Sequence, residues 1–219
     1  MIIGEPVPIL YIEMDGTGVP VVKKETVGRT GKTEGQPAHT REAKVACVFT
    51  QTTRDQAGYA IRDPDSTTYV AAIEAAEEFG KHLYPEAWKR GWSRAETKVV
   101  IGDGAEWIWN LADQYFPGAI QIVDVFHARQ HLWDLARTLH PNQQAEQRRW
   151  MMVHQDMLDG GEMADLVTAI RSIDSANAEV VETIRIESGF FEKHAERMAL
   201  PRVPPSGPVR RVGRHRGRV

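Results

Sequence analysis

Two apolar segments of the chain each end in an aspartate followed by a glycine, a pattern that indicates a divalent-metal site. The segment ILYIEMDGTG places Asp15 before Gly16, and the segment KVVIGDGAEWIW places Asp103 before Gly104. A strand end holds a carboxylate rigidly, and the glycine lets a metal or substrate approach the backbone closely. Two such carboxylates at one sheet edge predict binding of Mg²⁺ or Mn²⁺ for phosphoryl-transfer chemistry. The alternative is that each aspartate only caps the turn or helix that follows it.

A second group of polar residues lies in the segment DVFHARQH. Asp124 ends an apolar run, and His127 and His131 follow at a spacing that puts both on one helix face. The segment lacks the glutamate that a zinc metalloprotease helix carries after its first histidine, which argues against a zinc hydrolase. We expect His127 to face the strand ends, where it contacts DNA phosphate or supports a carboxylate. The alternative is a partly exposed helix with two ordinary histidines, and we favour it for His131.

The first sixty residues read as strands joined by short connections. Residues 8–15 form a buried strand, and a Gly-Thr-Gly turn leads to a second strand at Val19 to Val22. The glycine-rich stretch from Gly28 to Gly35 is interpreted as a hairpin tip. Further strands are predicted at Ala43 to Thr52 and near Tyr59. Consecutive strands with short connections predict an antiparallel meander.

From Asp65 onward the apolar period changes to that of a helix. A helix is predicted from a Ser66 cap through Leu83, with interruptions at Pro85 and Gly91. A strand is predicted at Lys98 to Gly102, a helix at Ala105 to Tyr115 and another strand at Ala119 to Val123. Helices are predicted from there to about Met198. The β-α-β alternation predicts parallel pairing.

This order of elements predicts an α/β fold with a ribonuclease H-like mixed sheet, an antiparallel meander followed by β-α-β, and a helical insertion or extension. In such folds the first and fourth strands are neighbours, which would bring Asp15 beside Asp103. We assign residues 5–140 to the catalytic core, 141–198 to a helical insertion domain and 199–219 to a disordered tail. Trp107 and Trp109 point to different sides of their helix, so each is expected to be core or half-buried rather than a platform for stacking bases.

Composition narrows the class of protein. The chain has 219 residues and a formal net charge of −3, but its last 19 residues hold six Arg and no acid. The remainder therefore carries 21 basic against 30 acidic groups, which argues mildly against tight DNA binding by the chain alone. No apolar run is long enough to cross a bilayer, and the single Cys47 is typical of a reducing cytoplasm.

Three segments together resemble bacterial insertion-sequence transposases of the ISKra group, which are related to Mutator-like elements. They are YIEMDGTGVPVVKKET, VVIGDGAEWIW and IVDVFHARQHLWDLA, and the resemblance covers roughly residues 5 to 198. It implies a DDE enzyme that uses Mg²⁺ to cut and rejoin DNA ends. By this resemblance, Asp15 and Asp103 match the first two acids of the triad, and Asp124 and His127 match the Asp/Cys-x-x-His motif. The resemblance also implies that the partners of the chain are transposon-end DNA and other copies of the transposase.

The sequence departs from that family at both ends. It starts close to the first catalytic strand, without the family's N-terminal DNA-binding region, and no residue matches the third acid, a glutamate. Residues 199–218 read in another codon register can encode a segment that resembles the family's glutamate region. We therefore expect a frameshifted, truncated core that is inactive in strand transfer.

Two other functions stay open at this stage. Haloacid-dehalogenase-type phosphatases share an apolar strand with Asp-x-Asp-Gly-Thr and a later Gly-Asp-Gly. Here Glu13 occupies the position of the nucleophilic aspartate, and Glu106 and Trp107 follow where a second acid is expected. The other possibility is a folded remnant without catalysis that associates with intact transposase through its helical half.

Overall fold

The computed structural model describes residues 5–28, 39–56, 58 and 60–199. The predicted hairpin tip after Gly28 and the tail from residue 200 onward lie outside the described residues, as does Tyr59. The chain forms two compact units, the first ending at Gln121 and the second beginning at Ile122. The assignment of 5–140 and 141–198 as separate domains stays a prediction.

The chain contains a five-stranded mixed sheet. Its strands, in spatial order, are β5 (Thr68–Ala72), β2 (Thr40–Thr50), β1 (Val7–Pro20), β6 (Ala95–Gly102) and β7 (Ile120–Val123). β1 is antiparallel to β2 and parallel to β6, and β2 is antiparallel to β5. This order and these directions are those of a ribonuclease H-like α/β fold, as the sequence predicts.

Two helices accompany this sheet, α1 (Ala76–Lys89) and α2 (Glu106–Tyr115). α1 packs on β2 and β5 as well as on α2. The helices meet at Gly80, where an added β-carbon would lie 2.6 Å from Cε2 of Tyr115. Phe79 and Leu83 of α1 and Ile108 of α2 are fully buried. Burial of these apolar side chains is the main force that holds the layers together.

Two predicted element boundaries are wrong. The Gly-Thr-Gly segment is no turn, because β1 runs unbroken to Pro20 and stays paired with β2 throughout. Pairing along the whole ladder overrides the turn preference of glycine. The segment after Asp65 is also not helical until Ala76. It contains β5, and the Ser66 hydroxyl bonds to the backbone of Thr50 rather than capping a helix.

Pro85 lies inside α1 and does not interrupt it, whereas Gly91, at φ +104°, follows the end of that helix.

A small hairpin, β3 (Thr53–Arg54) with β4 (Ala60–Ile61), follows β2 and is fixed by Asp63. The carboxylate of Asp63 accepts hydrogen bonds of 2.6–3.0 Å from the hydroxyls of Thr50, Thr52 and Thr53 and from the backbone of Thr52 and Thr53. Partial burial by itself raises the pKa of Asp63, but these donors outweigh it and hold that pKa well below its usual range.

The second unit contains helices α3 (Val125–Leu139), α4 (Gln144–Gly160), α5 (Met163–Arg171), α6 (Ala178–Lys193) and α7 (Ala195–Met198). α3 packs on α4 and α6, and α5 packs on α4 and α6. His194, at the end of α6, is buried, and its pKa is lowered to about 4 by burial and by the positive charges of Arg197 and Lys193, with His131 adding to the effect. None of the helices in the described part of the chain is long and apolar enough to span a membrane.

Candidate metal centre at the ends of two strands

The candidate site lies where β1 and β6 separate. Their parallel pairing runs from Val7 with Ala95 to Met14 with Gly102, and the next residue on each strand is an aspartate. β1 then continues beside β2 alone, while the chain after β6 turns into α2. Asp15 and Asp103 therefore occupy equivalent positions on neighbouring strands, at the point where the sheet opens.

A carboxylate oxygen of Asp15 lies within 4.8 Å of one of Asp103. This confirms the predicted proximity of the two aspartates, while their roles as metal ligands and catalytic acids stay predictions. Asp15 is exposed and Asp103 is partly buried. Like charges at this distance repel each other unless a cation is shared between them. Hard carboxylate oxygens of this kind are the ligands that Mg²⁺ and Mn²⁺ prefer.

Short backbone contacts fix both aspartates. The backbone N–H of Gly16 donates to Oδ1 of Asp15 at 2.6 Å, and that of Ala105 donates to Oδ1 of Asp103 at 2.8 Å. The second bond is the local turn contact expected of an Asp-Gly sequence before a helix. Each bond uses Oδ1, so Oδ2 of each residue makes none of these contacts. The two aspartates are thus fixed by their own backbone and still present oxygen atoms to a ligand.

The glycines next to Asp15 and Asp103 are required by backbone conformation or by close packing. Gly104 has φ +107°, a conformation that residues with a β-carbon rarely adopt. Gly102 lies against α2 so closely that a β-carbon would come within 2.8 Å of Cγ2 of Ile108. A β-carbon on Gly16 would lie 2.7 Å from Oε1 of Glu42. Close packing around the strand ends therefore limits how far the aspartates can shift.

Sequence reasoning missed a buried charge next to this site. Lys44 of β2 pairs directly with Gly16 of β1 and is only 5% exposed. Its ammonium group donates to Oε2 of Glu42 at 2.6 Å and to the carbonyl oxygen of Glu74 at 3.2 Å. It also lies 5.2 Å from the centre of the Trp107 ring. The sequence did hold a signal for this burial, because Lys44 alternates onto the same face of β2 as the apolar residues Ala46 and Val48.

Glu13, two residues before Asp15, is held by other groups. Its Oε2 accepts a 2.8 Å hydrogen bond from Arg62 and a 3.4 Å contact from the thiol of Cys47. Burial raises the pKa of the Cys47 thiol to about 11, and the charge of Glu13 adds to this effect. A carboxylate bound to a guanidinium is a poor nucleophile. The antiparallel β2 and β5 also differ from the parallel sheet that a haloacid-dehalogenase-type phosphatase needs.

Asp124 and His127 lie in the second unit, at the start of α3. Asp124 caps this helix, with Oδ1 accepting from the backbone of Phe126 at 3.3 Å, and its Oδ2 lies 2.9 Å from Nδ1 of His127. The carboxylate fixes the ring orientation of His127, which leaves Nε2 outside this contact. The proposed role of this pair in DNA contact or carboxylate support stays a prediction.

His131 packs against residues of α6. Its Nδ1 lies 2.7 Å from Oε2 of the buried Glu187, and its ring stacks on Phe190 with centroids 3.6 Å apart. The structure thus agrees with the ordinary interpretation that the sequence favours for this residue. Trp109 is 4% exposed and Trp107 is partly buried against Phe79. The prediction that neither tryptophan is an exposed stacking platform is confirmed.

Comparisons with known proteins add a distant structural likeness. No protein-family model matches the chain, and no curated protein matches it in sequence. Among solved structures, the chain is similar to one described as "Drosophila P element transposase strand transfer complex", at 10% identity and a TM-score of 0.33. That match covers 84% of this chain and 49% of the other, so this chain spans about half the length of that protein. The ribonuclease H-like assignment rests on the strand order and pairing of the chain itself.

Proposed function

We propose that this chain is the core of a DDE-type transposase, in which Asp15 and Asp103 hold Mg²⁺ or Mn²⁺ for chemistry on DNA phosphodiester bonds. The observation that carries the proposal is the approach of their carboxylate oxygens to within 4.8 Å at the ends of adjacent parallel strands. The resemblance of the three sequence segments to insertion-sequence transposases supplies the substrate class. The ribonuclease H-like sheet is the fold that this resemblance implies.

The residues present fit a hard dication. Asp15 and Asp103 supply two negatively charged oxygen ligands for such an ion. When bound, the dication would polarise the scissile phosphodiester and stabilise the charge that develops on its oxygens. The backbone N–H groups of Gly16 and Ala105 hold the carboxylates in place during that chemistry.

The expected activity is weak. The resemblance assigns Asp15 and Asp103 as two acids of a DDE triad, and two carboxylates without a third should hold a second metal ion weakly. We therefore expect feeble metal-dependent nicking and negligible joining of transposon ends. Asp124 and His127 are proposed to support the carboxylates or contact DNA. The proposed setting is the bacterial cytoplasm, with DNA and other transposase copies as partners.

A folded remnant without catalysis is the second candidate, and the acidic charge balance favours it. Before the last 19 residues the chain carries 21 basic against 30 acidic groups, which opposes binding to a phosphate backbone. A DNA shift assay over a range of salt concentrations separates the two candidates. The transposase core binds at low salt and loses affinity as salt rises, whereas the remnant shows no binding at any salt concentration.

Titration with Mn²⁺ by isothermal calorimetry tests the proposal. The wild-type chain should bind Mn²⁺, and Asp15→Asn and Asp103→Asn should each weaken binding by about tenfold or more, since each removes one charged ligand. Asp113→Asn is the matched control, because Asp113 is exposed on α2 and its carboxylate accepts a hydrogen bond from Gln121 that the asparagine oxygen can keep. Equal Mn²⁺ affinity in all four proteins would contradict the proposed site.

A further inference from the structure

The buried Lys44 contacts groups from three parts of the fold beside the candidate site. It is on β2 opposite Gly16, its ammonium bonds to the carbonyl of Glu74 just before α1, and it lies over Trp107 in the first turn of α2. α2 begins three residues after Asp103. A single side chain therefore links the strand beside Asp15 to the helix that follows Asp103.

Side-chain alternation places Lys44 on the sheet face opposite to Asp15. Asp15 pairs with Val45, and Lys44 pairs with Gly16, and consecutive residues of a strand point to opposite faces. Lys44 therefore cannot act as a ligand or acid on the side where Asp15 projects. Its influence on the carboxylates must be exerted through the backbone and through α2.

The glycines of the DGTG segment make room for this lysine and its partner. Gly16 and Gly18 face Lys44 and Glu42 across the β1–β2 ladder. A β-carbon on Gly16 would come within 2.7 Å of Oε1 of Glu42, whose other oxygen accepts from Lys44 at 2.6 Å. The Glu42–Lys44 pair thus packs directly on the backbone beside Asp15.

A buried ammonium group is retained only where its hydrogen bonds are satisfied, so it requires its partners in fixed positions. Lys44 has a carboxylate, a carbonyl and an aromatic face as partners, and these come from β2, from Glu74 just before α1, and from α2. These contacts favour one relative position of β2 and α2, and β1 is held to β2 by their ladder. The separation of Asp15 and Asp103 depends on that position.

We propose that Lys44, together with Glu42, is a positioning residue that sets the distance between the Asp15 and Asp103 carboxylates. This inference rests on the proposed metal site. It predicts that removing the charge of Lys44 weakens metal binding although Lys44 is no ligand. Residues that support metal ligands typically change metal affinity by 10- to 100-fold when they are substituted.

The test compares Lys44→Met with Lys81→Met by Mn²⁺ calorimetry, with circular dichroism as the measure of folding. Both substitutions replace an ammonium by a thioether on a similar stem. Lys81, however, is a half-exposed residue of α1 that pairs with Glu77 and Glu78. Lys44→Met should weaken Mn²⁺ binding by about tenfold or more and Lys81→Met by less than about twofold. A folded Lys44→Met protein with wild-type Mn²⁺ affinity would overturn the inference.

Glu42→Gln provides the second variant, in case Lys44→Met does not fold. It keeps the shape over Gly16 and removes the ion pair, so Mn²⁺ binding should weaken by about threefold or more, and unchanged affinity would overturn the inference. Hydrogen exchange of the Gly16 and Ala105 amides gives a readout without metal, and both should exchange faster in Lys44→Met. If the wild type shows no Mn²⁺ binding that depends on Asp15, the proposed function fails. The exchange result then decides whether Lys44 still positions the backbone beside Asp15 and Asp103.

Discussion

Substitution of Asp15 by asparagine should stabilise the metal-free protein. The carboxylate oxygens lie within 4.8 Å of each other, and two unit charges at that limit repel by about 1 kcal/mol in water and by about 3.5 kcal/mol at an effective dielectric constant of 20. Asp15 is exposed, so the lower value applies. Asparagine has the same shape, and its carbonyl oxygen can still accept the N–H of Gly16. We therefore expect the free energy of unfolding to rise by about 1 kcal/mol in EDTA, which raises the melting temperature by roughly 2–4 °C.

Addition of Mn²⁺ should reverse this order. Wild type gains stability from binding, by about 2.7 kcal/mol when the free ion exceeds its dissociation constant a hundredfold. Asp15→Asn gains less, because one charged ligand is missing. Scanning calorimetry gives the melting temperatures of both proteins in EDTA and in excess Mn²⁺, and so shows whether their order reverses. The Asp113→Asn control should follow wild type under both conditions, since its charge is on α2 in contact with Gln121.

Two results would refute this reasoning. If Asp15→Asn is less stable than wild type in EDTA by 1 kcal/mol or more, then Asp15 is a structural hydrogen-bond acceptor and not a repelled ligand. If Mn²⁺ stabilises Asp15→Asn as much as wild type, the ion binds elsewhere on the chain.

Three further predictions concern groups outside the two carboxylates. Asp63→Asn should lower the free energy of unfolding at pH 7 by about 1–3 kcal/mol. Because the folded-state pKa of Asp63 is depressed, the difference from wild type should shrink as pH falls below about 4 in urea titrations. Gly102→Ala should destabilise by about 1–3 kcal/mol through its clash with Ile108. In an Ile108→Ala background, which is itself destabilised by loss of a buried side chain, the same Gly102→Ala change should cost less in thermal melts. Because the folded-state pKa of His194 is lowered to about 4, the wild type should lose stability as pH falls from about 6.5 toward 4. His194→Gln should lose less stability over that range. Parallel plots of unfolding free energy against pH for the two proteins would contradict this.

The sheet that holds the candidate site could be predicted because its signals are local. Apolar runs ending in Asp-Gly mark the ends of β1 and β6, and the segment between β6 and β7 has a clear helical period. Parallel neighbours end at the same sheet edge, so the approach of Asp15 to Asp103 follows from the element order. These features need no knowledge of distant contacts.

Features that depend on pairing with distant residues could not be predicted. Gly16 and Gly18 indicate a turn by local preference, but the ladder to Thr40–Lys44 keeps them extended. Tyr69 and Ile73 have helical spacing, yet hydrogen bonds to β2 make this segment a strand. The burial of Lys44 is decided by α1 and α2, which lie far from it in sequence. In each case, tertiary contacts outweigh local preference.

A crystal structure of the protein grown or soaked in Mn²⁺, with anomalous data collected near the manganese absorption edge, tests the central claim most directly. The metal-site proposal predicts an anomalous peak between the carboxylates of Asp15 and Asp103, at roughly 2.0–2.3 Å from an oxygen of each. A strong peak at another site, or none at saturating Mn²⁺, would contradict it.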